Sequence, residues 1–138
     1  MITRRVGMGD VDRMQVWFGT HVGWMDEAHM DLLASLGHPL SSCLAAGFAT
    51  PVAALPMRYV TPVELDDEVE IEPAVTRVGR TSFDVTHVFR HGGEVIAEGV
   101  ATHVWMQLDG RLPAPVPEWL RSGAEGGRTW LGPRSASG

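Results

Sequence analysis

Between Phe18 and Leu36 the core-type positions return at helical spacing. Phe18, Val22, Met25, His29, Leu32 and Leu36 fall on one stripe, and Trp24, Ala28 and Leu33 widen it. Gly37, His38 and Pro39 then supply a terminating glycine and a stopping proline, so the pattern predicts one long helix that begins near Gly19-Thr20 and is covered on more than one side. From Val52 onward the period changes to two. Val69, Ile71 and Val75 alternate with Glu68, Glu70, Glu72 and Thr76, and Phe83, Val85, His87 and Phe89 line one face of a following strand. His91-Gly92-Gly93 predicts a hairpin turn, and Val95 to Met106 reads as a longer, more apolar strand near a sheet centre. Pro73 lacks the amide a ladder needs, which predicts an edge or a bulge there. With a first strand over Ile2 to Met8, the chain carries about five strands and one long helix inserted after the first. The expected class is α+β, with the helix packed on an antiparallel sheet.

Composition narrows this picture. The 138 residues suffice for one domain with its own core, expected over residues 1–122. After Leu120 the sequence turns to Gly, Ser, Arg and Pro, so residues 123–138 are expected to form a flexible tail, on which Trp130 could dock locally. A lone Cys43 excludes an internal disulfide and a cysteine-based zinc cage. No apolar stretch approaches the roughly 20 residues that span a bilayer, and no apolar core follows Arg4 and Arg5, so a cytoplasmic protein without membrane partners is expected. The net charge is −6 and the 11 basic residues, all arginine, are scattered, which argues against a nucleic-acid partner.

The candidate chemistry gathers just before the helix. Asp10 and Asp12 lie in Gly9-Asp10-Val11-Asp12-Arg13-Met14-Gln15, and a carboxylate near a helix N-terminus adjoins free amides that stabilise developing negative charge. Taken alone, the same two residues could be turn residues that bond their own backbone. A calcium loop does not fit, because Arg13 and Met14 stand where further oxygen ligands are needed. Asp26-Glu27-Ala28-His29 spells a helicase tetrapeptide, but a chain without lysine has no phosphate-loop lysine to accompany it. Asp26 could contact a polar acyl end or pair with an arginine, and Glu27 reads as a solvated or interface residue. His21 and His29 are eight residues apart, too far for a metal pair at i and i+4, and read as packed or hydrogen-bonded. His87 and His103 sit in strands and are expected to point into a sheet face or an oligomer contact. His38 beside Pro39 is a loop histidine near a possible substrate entrance.

The order of these segments resembles the hotdog fold, specifically the 4-hydroxybenzoyl-CoA thioesterase-like acyl-CoA thioesterases, over residues 2 to 120. The resemblance is carried by Gly9-Asp10-Val11-Asp12, Val16-Trp17-Phe18, Trp24-Met25-Asp26-Glu27-Ala28, the run from Met57 to Glu68, and Arg80-Thr81-Ser82-Phe83. It implies a sheet of about five strands wrapped around one central helix, in a homodimer or homotetramer. It also implies hydrolysis of an acyl-CoA or acyl-carrier-protein thioester, with no cofactor beyond the coenzyme A of the substrate. Under the resemblance Asp12 is the catalytic carboxylate, acting as nucleophile or general base, and Asp10 is accessory. The amides of Phe18 and Gly19 are the oxyanion donors, across a dimer interface from that carboxylate. Trp17, Trp24 and Asp26 would then line the acyl site, with Met25 and Phe48 as further candidates, and Arg80, Thr81 and Ser82 would meet the coenzyme A phosphates. Arg13-Met14-Gln15 departs from the glycine-containing run that follows the catalytic Asp in the family, with a spacer one residue shorter. That departure supports a second reading, a hotdog domain that binds an acyl thioester or polyketide-like ligand without hydrolysing it. A hydratase of the same fold fits less well, because its Asp-x-Asn-Pro-x-His run is missing.

Overall fold

The computed structural model describes residues 1–12, 15–16 and 18–124, with the backbone alone for Asp12, Gln15, Val16 and Phe18. Trp17, Arg13, Met14 and residues 125–138, including most of the expected tail and Trp130, lie outside the described residues.

Strand β1 (Ile2–Arg5) leads through a 3-10 turn at Met8–Asp10 into a short hairpin of β2 (Val11–Asp12) and β3 (Gln15–Val16). Helix α1 (Phe18–Ser35) follows, then α2 (Leu40–Ala45), β4 (Phe48–Ala49), β5 (Val52–Ala54) and β6 (Met57–Tyr59). Three long strands, β7 (Glu68–Val78), β8 (Ser82–His91) and β9 (Glu94–Val104), form the centre of the sheet. The chain then runs through β10 (Met106–Gln107), β11 (Leu112–Pro113) and α3 (Glu118–Ser122). The main sheet is antiparallel, in the order β1-β7-β8-β9-β5, with β6 also paired to β9. It has six strands where the sequence suggested about five, because the segment after Val52 contributes two short strands to one edge.

Local chemistry accounts for most of these elements. Gly37 ends α1 in the left-handed region at φ 87°, where a Cβ is disfavoured. Gly92 and Gly93, at φ 60° and 83°, make the two-residue turn that pairs His91 with Glu94. Pro73 lies beyond the end of β1, whose pairing with β7 stops at Ile71, so its missing amide falls on an open edge of the ladder. Three expectations are corrected. The first strand ends at Arg5 rather than Met8, and Val6 bonds instead to the backbone of Asp66 and Asp67. The long apolar strand ends at Val104, because the Trp105 amide turns to the Thr81 carbonyl and Met106–Gln107 joins a second sheet of order β11-β10-β4. Helix α2 was not anticipated after Pro39.

Helix α1 lies on the face of the sheet formed by Val69, Ile71, Phe83, Val85, His87 and Phe89. The side chains it buries are Trp24, Met25, Ala28 and Leu33, together with Thr20, His21 and His29, whereas Val22, placed on the stripe by the sequence, is 40 % exposed. The facing positions of β9 are small, Ala97, Gly99 and Ala101, and this allows the close approach. A Cβ at Gly99 would run into the Met57 sulfur and the terminal methyl of Met25, so a larger residue there would force both methionine side chains to move.

Candidate functional site

The first turn of α1 and the segment before it are tied together. The Thr20 hydroxyl donates to the Asp10 carbonyl at 3.3 Å, and the Asp10 carboxylate accepts the Gly7 amide at 3.0 Å. Asp10 is therefore occupied in closing its own turn, as one reading of the sequence allowed. Asp12 lies in β2 opposite Gln15, and its carboxylate lies outside the described residues. The opening amides of α1, those of Phe18 and Gly19 among them, have no partner within the helix, which is the general condition for anion stabilisation at a helix start.

Further along α1 the helix roofs a cavity of about 290 Å³. Its rim is formed by Val22, Gly23 and Asp26 of the helix and by Val52 of β5, all exposed. Met25, Leu55 and Ala101 supply apolar walls. Its floor is formed by three histidines from three elements: His29 of α1, His87 of β8 and His103 of β9, buried to 3 %, 0 % and 4 % exposure. The His29 and His103 rings stack with centroids 4.0 Å apart and planes 10° apart. His29 Nε2 lies 3.0 Å from the Thr50 hydroxyl, and His103 Nδ1 donates to the Thr50 carbonyl at 2.8 Å. The other nitrogens of His29 and His103, and both of His87, are buried without a hydrogen-bond partner. Burial, reinforced by the neighbouring imidazoles, lowers the pKa of His29 and of His87 to about 3, and burial lowers that of His103 as well. All three are uncharged near neutrality.

The remaining sequence candidates separate from this cavity. Asp26 stands on its rim and Met25 in its wall. Trp24 instead is 2 % exposed in the core, with its ring against His21. Phe48 stacks on Trp105 at 5.1 Å and borders a different cavity. Arg80 is exposed in the turn between β7 and β8, where its carbonyl and that of Thr81 accept the amides of Val116 and Trp105. The Ser82 hydroxyl accepts from Arg77, whose guanidinium also grips Asp84 through two hydrogen bonds. His21 lies away from this cavity and packs edge-on to Tyr59 and Phe89. The convergence of His29, His87 and His103 was not anticipated. Its signal was present in β8, where the alternation puts His87 on the same face as Phe83, Val85 and Phe89, a polar ring on a core face.

The model of the thioesterase-like superfamily matches residues 6–123. A 1,4-dihydroxy-2-naphthoyl-CoA hydrolase of Thermosynechococcus vestitus is 28% identical over 129 residues, 88% of each chain. Among solved structures, a gentisyl-coenzyme A thioesterase is 28% identical and superposes with a TM-score of 0.81 over 90% of this chain and 98% of the other. A variant of 4-hydroxybenzoyl-CoA thioesterase complexed with 4-hydroxybenzoyl-CoA shares the fold at 21% identity, with a TM-score of 0.80 over 89% of this chain and 96% of that one. Among the described residues no helix is long and apolar enough to cross a membrane.

Proposed function

The chain belongs to the thioesterase-like superfamily, with the hotdog arrangement of sheet and helix, and from that premise we propose that this thioester hydrolase cleaves an acyl-CoA at the start of α1. Asp12 is the carboxylate that attacks the thioester carbonyl or activates the attacking water, and the amides of Phe18 and Gly19 hold the oxyanion. The observation that carries this reading is the short β2–β3 hairpin that bears Asp12 and runs directly into the first turn of α1. Asp10 is engaged with the Gly7 amide, which leaves Asp12 as the carboxylate of this pair for chemistry. A thioester carbonyl is electrophilic enough that orientation and charge stabilisation suffice, and one well-aimed oxyanion donor contributes roughly 10²–10³ in rate.

Within the superfamily the reading favours the 4-hydroxybenzoyl-CoA thioesterase-like branch and, from the named relatives, an aromatic acyl-CoA. Trp17 and Asp26 border the acyl group in this reading, with Trp24 supporting them from the core. Arg80, with Thr81 and Ser82, is the candidate contact for the coenzyme A phosphates, although the Ser82 hydroxyl already serves Arg77. We place the active unit in a homodimer or homotetramer in which the carboxylate of one subunit meets the helix of another. The exposed Val52, Tyr59 and Val60 on the β5–β6 edge support self-association.

The test is thiol release from short, long and aromatic acyl-CoAs, with acyl-carrier proteins alongside. The expected result is turnover of at least one acyl-CoA with kcat/KM of about 10⁴ M⁻¹s⁻¹ or more. Binding of an acyl-CoA with no turnover of any thioester would replace this reading with that of a non-hydrolysing binder.

A further inference from the structure

A second cavity, about 360 Å³, lies between α2 and α3 and is walled mainly by rings and prolines, among them Phe48, Trp105, Pro115, Pro117 and Trp119. Phe48 and Trp119 are half-buried there and Ala46 and Pro115 are exposed, so apolar wall stays in contact with water. Among the described residues no unpartnered buried polar atom borders it, and such walls favour an apolar occupant. Ser42 adds one polar group to the lining. Its hydroxyl gives its proton to the Pro39 carbonyl at 2.8 Å, which leaves the oxygen free to accept from a donor. A flat apolar body with a single N–H answers both properties, and an indole is such a body.

The chain brings one close. Trp119 lines the cavity from α3, and Ala124 follows it by five residues, a rise of about 8 Å along the helix and its cap. Ala124 packs on the cluster that contains Leu33, Cys43, Trp105 and Leu120, of which Cys43 and Trp105 also line the cavity. Gly123 lies against Leu36, two residues before His38 of the same lining. The described residues therefore end beside the cavity. The superfamily model stops at residue 123, so the segment Glu125-Gly126-Gly127-Arg128-Thr129-Trp130-Leu131 is read from its own residues. Trp130 and Leu131 are the only large apolar side chains after Ala124. The six residues from Ala124 to Trp130 reach up to about 20 Å, well beyond the way back to Trp119. Gly126 and Gly127 allow the chain to reverse within that length. A tether this short holds the indole at an effective concentration in the millimolar range.

We propose that Trp130 of the same chain occupies the cavity between α2 and α3, its ring among Phe48, Trp105 and Trp119 and its N–H donating to the Ser42 hydroxyl. The segment after Ala124 is then a strap across this end of the molecule, apart from the acyl-CoA chemistry at the start of α1.

The experiment follows the assigned indole ¹H–¹⁵N resonances of the five tryptophans in the full chain, wild type against Trp130→Ala. A variant in this segment leaves the described core intact. The expected result is exchange of the Trp130 indole proton at least about tenfold slower than in the urea-unfolded chain. In Trp130→Ala the Trp105 and Trp119 resonances should move by more than their linewidths, while Trp24, packed against His21, stays in place. Trp130→Phe should return both resonances most of the way. Free exchange of the Trp130 indole, or unmoved Trp105 and Trp119 resonances, would overturn the proposal. Protection that fades on dilution would also overturn it, by assigning the cavity to the segment of a second copy.

Discussion

Two cavities of similar size lie under the middle of α1 and beyond its C-terminal end, and their linings differ in kind. The one under the middle of the helix, about 290 Å³, has His29, His87 and His103 on its floor, and four nitrogens of these rings are buried without a hydrogen-bond partner. The other, about 360 Å³, lies between α2 and α3 and is bordered by His38, Cys43, Phe48, Trp105 and Trp119. There the rings satisfy one another: His38 stacks on Trp119 at 4.0 Å, Trp105 meets Trp119 edge-on at 5.9 Å, and the Cys43 thiol reaches the His38 carbonyl at 3.6 Å. Among the described residues no unpartnered buried polar atom borders it. Leaving a buried polar group unmade costs roughly 1–3 kcal/mol, so the histidine end carries a cost that the aromatic end avoids.

Four substitutions or conditions sharpen the contrast, beginning with the largest effect. Trp105→Ala should cost about 3–5 kcal/mol, because a 4 % exposed ring in the aromatic end leaves a void that its neighbours fill poorly. Urea unfolding measures this, and a loss below about 1 kcal/mol would show that this end is loosely packed.

Acid distinguishes the two ends next. His29 and His87 take up protons in the unfolded chain near pH 6.5 but resist them in the folded chain until about pH 3. The unfolded state therefore binds more protons throughout that window. Stability is flat above about pH 6.5 and falls below it by up to about 1.4 kcal/mol per pH unit for each histidine. Urea midpoints between about pH 7 and pH 4.5 should show the decline, and a flat profile would contradict the burial of neutral imidazoles. His87→Leu should remove the share of that slope due to one histidine and, by replacing an unpartnered ring with an apolar side chain, raise stability at neutral pH by about 1 kcal/mol. A marked loss in this variant would mean that His87 has a structural partner.

The smallest effect belongs to the rim. A Cβ added at Gly23 meets no atom within 4 Å, so Gly23→Ala should stabilise α1 by about 0.5–1 kcal/mol. If thermal unfolding showed destabilisation instead, the mouth of the cavity would be closed by another part of the assembly.

Elements governed by local rules were the ones the sequence displayed. Helix α1 followed from its spacing and from Gly37, and β7 and β8 followed from their alternation. The β8–β9 turn followed from Gly92 and Gly93, and the edge position of Pro73 from its missing amide. Helix α2 escaped because Leu40 to Ala45 is barely two turns, too short to show a period, and because Pro39, read as a stop, also begins it. The break at Trp105 depends on the Thr81 carbonyl in a distant turn, which no local pattern contains. The candidate site divides in the same way. The Asp-x-Asp run beside the helix start was visible, whereas the histidine floor needs the register that sets His103 opposite Phe83 and His87 opposite Gly99. A single sequence carries the polar residues of that floor without carrying their alignment.

The most direct test of the account compares wild type with Asp12→Asn on the best acyl-CoA substrate, at matched folding and oligomeric state, by continuous thiol release. Loss of about 10² or more in kcat is the predicted result, since an amide neither attacks nor takes up a proton. A variant that retains near-wild-type turnover would contradict the assignment and move the chemistry away from the start of α1.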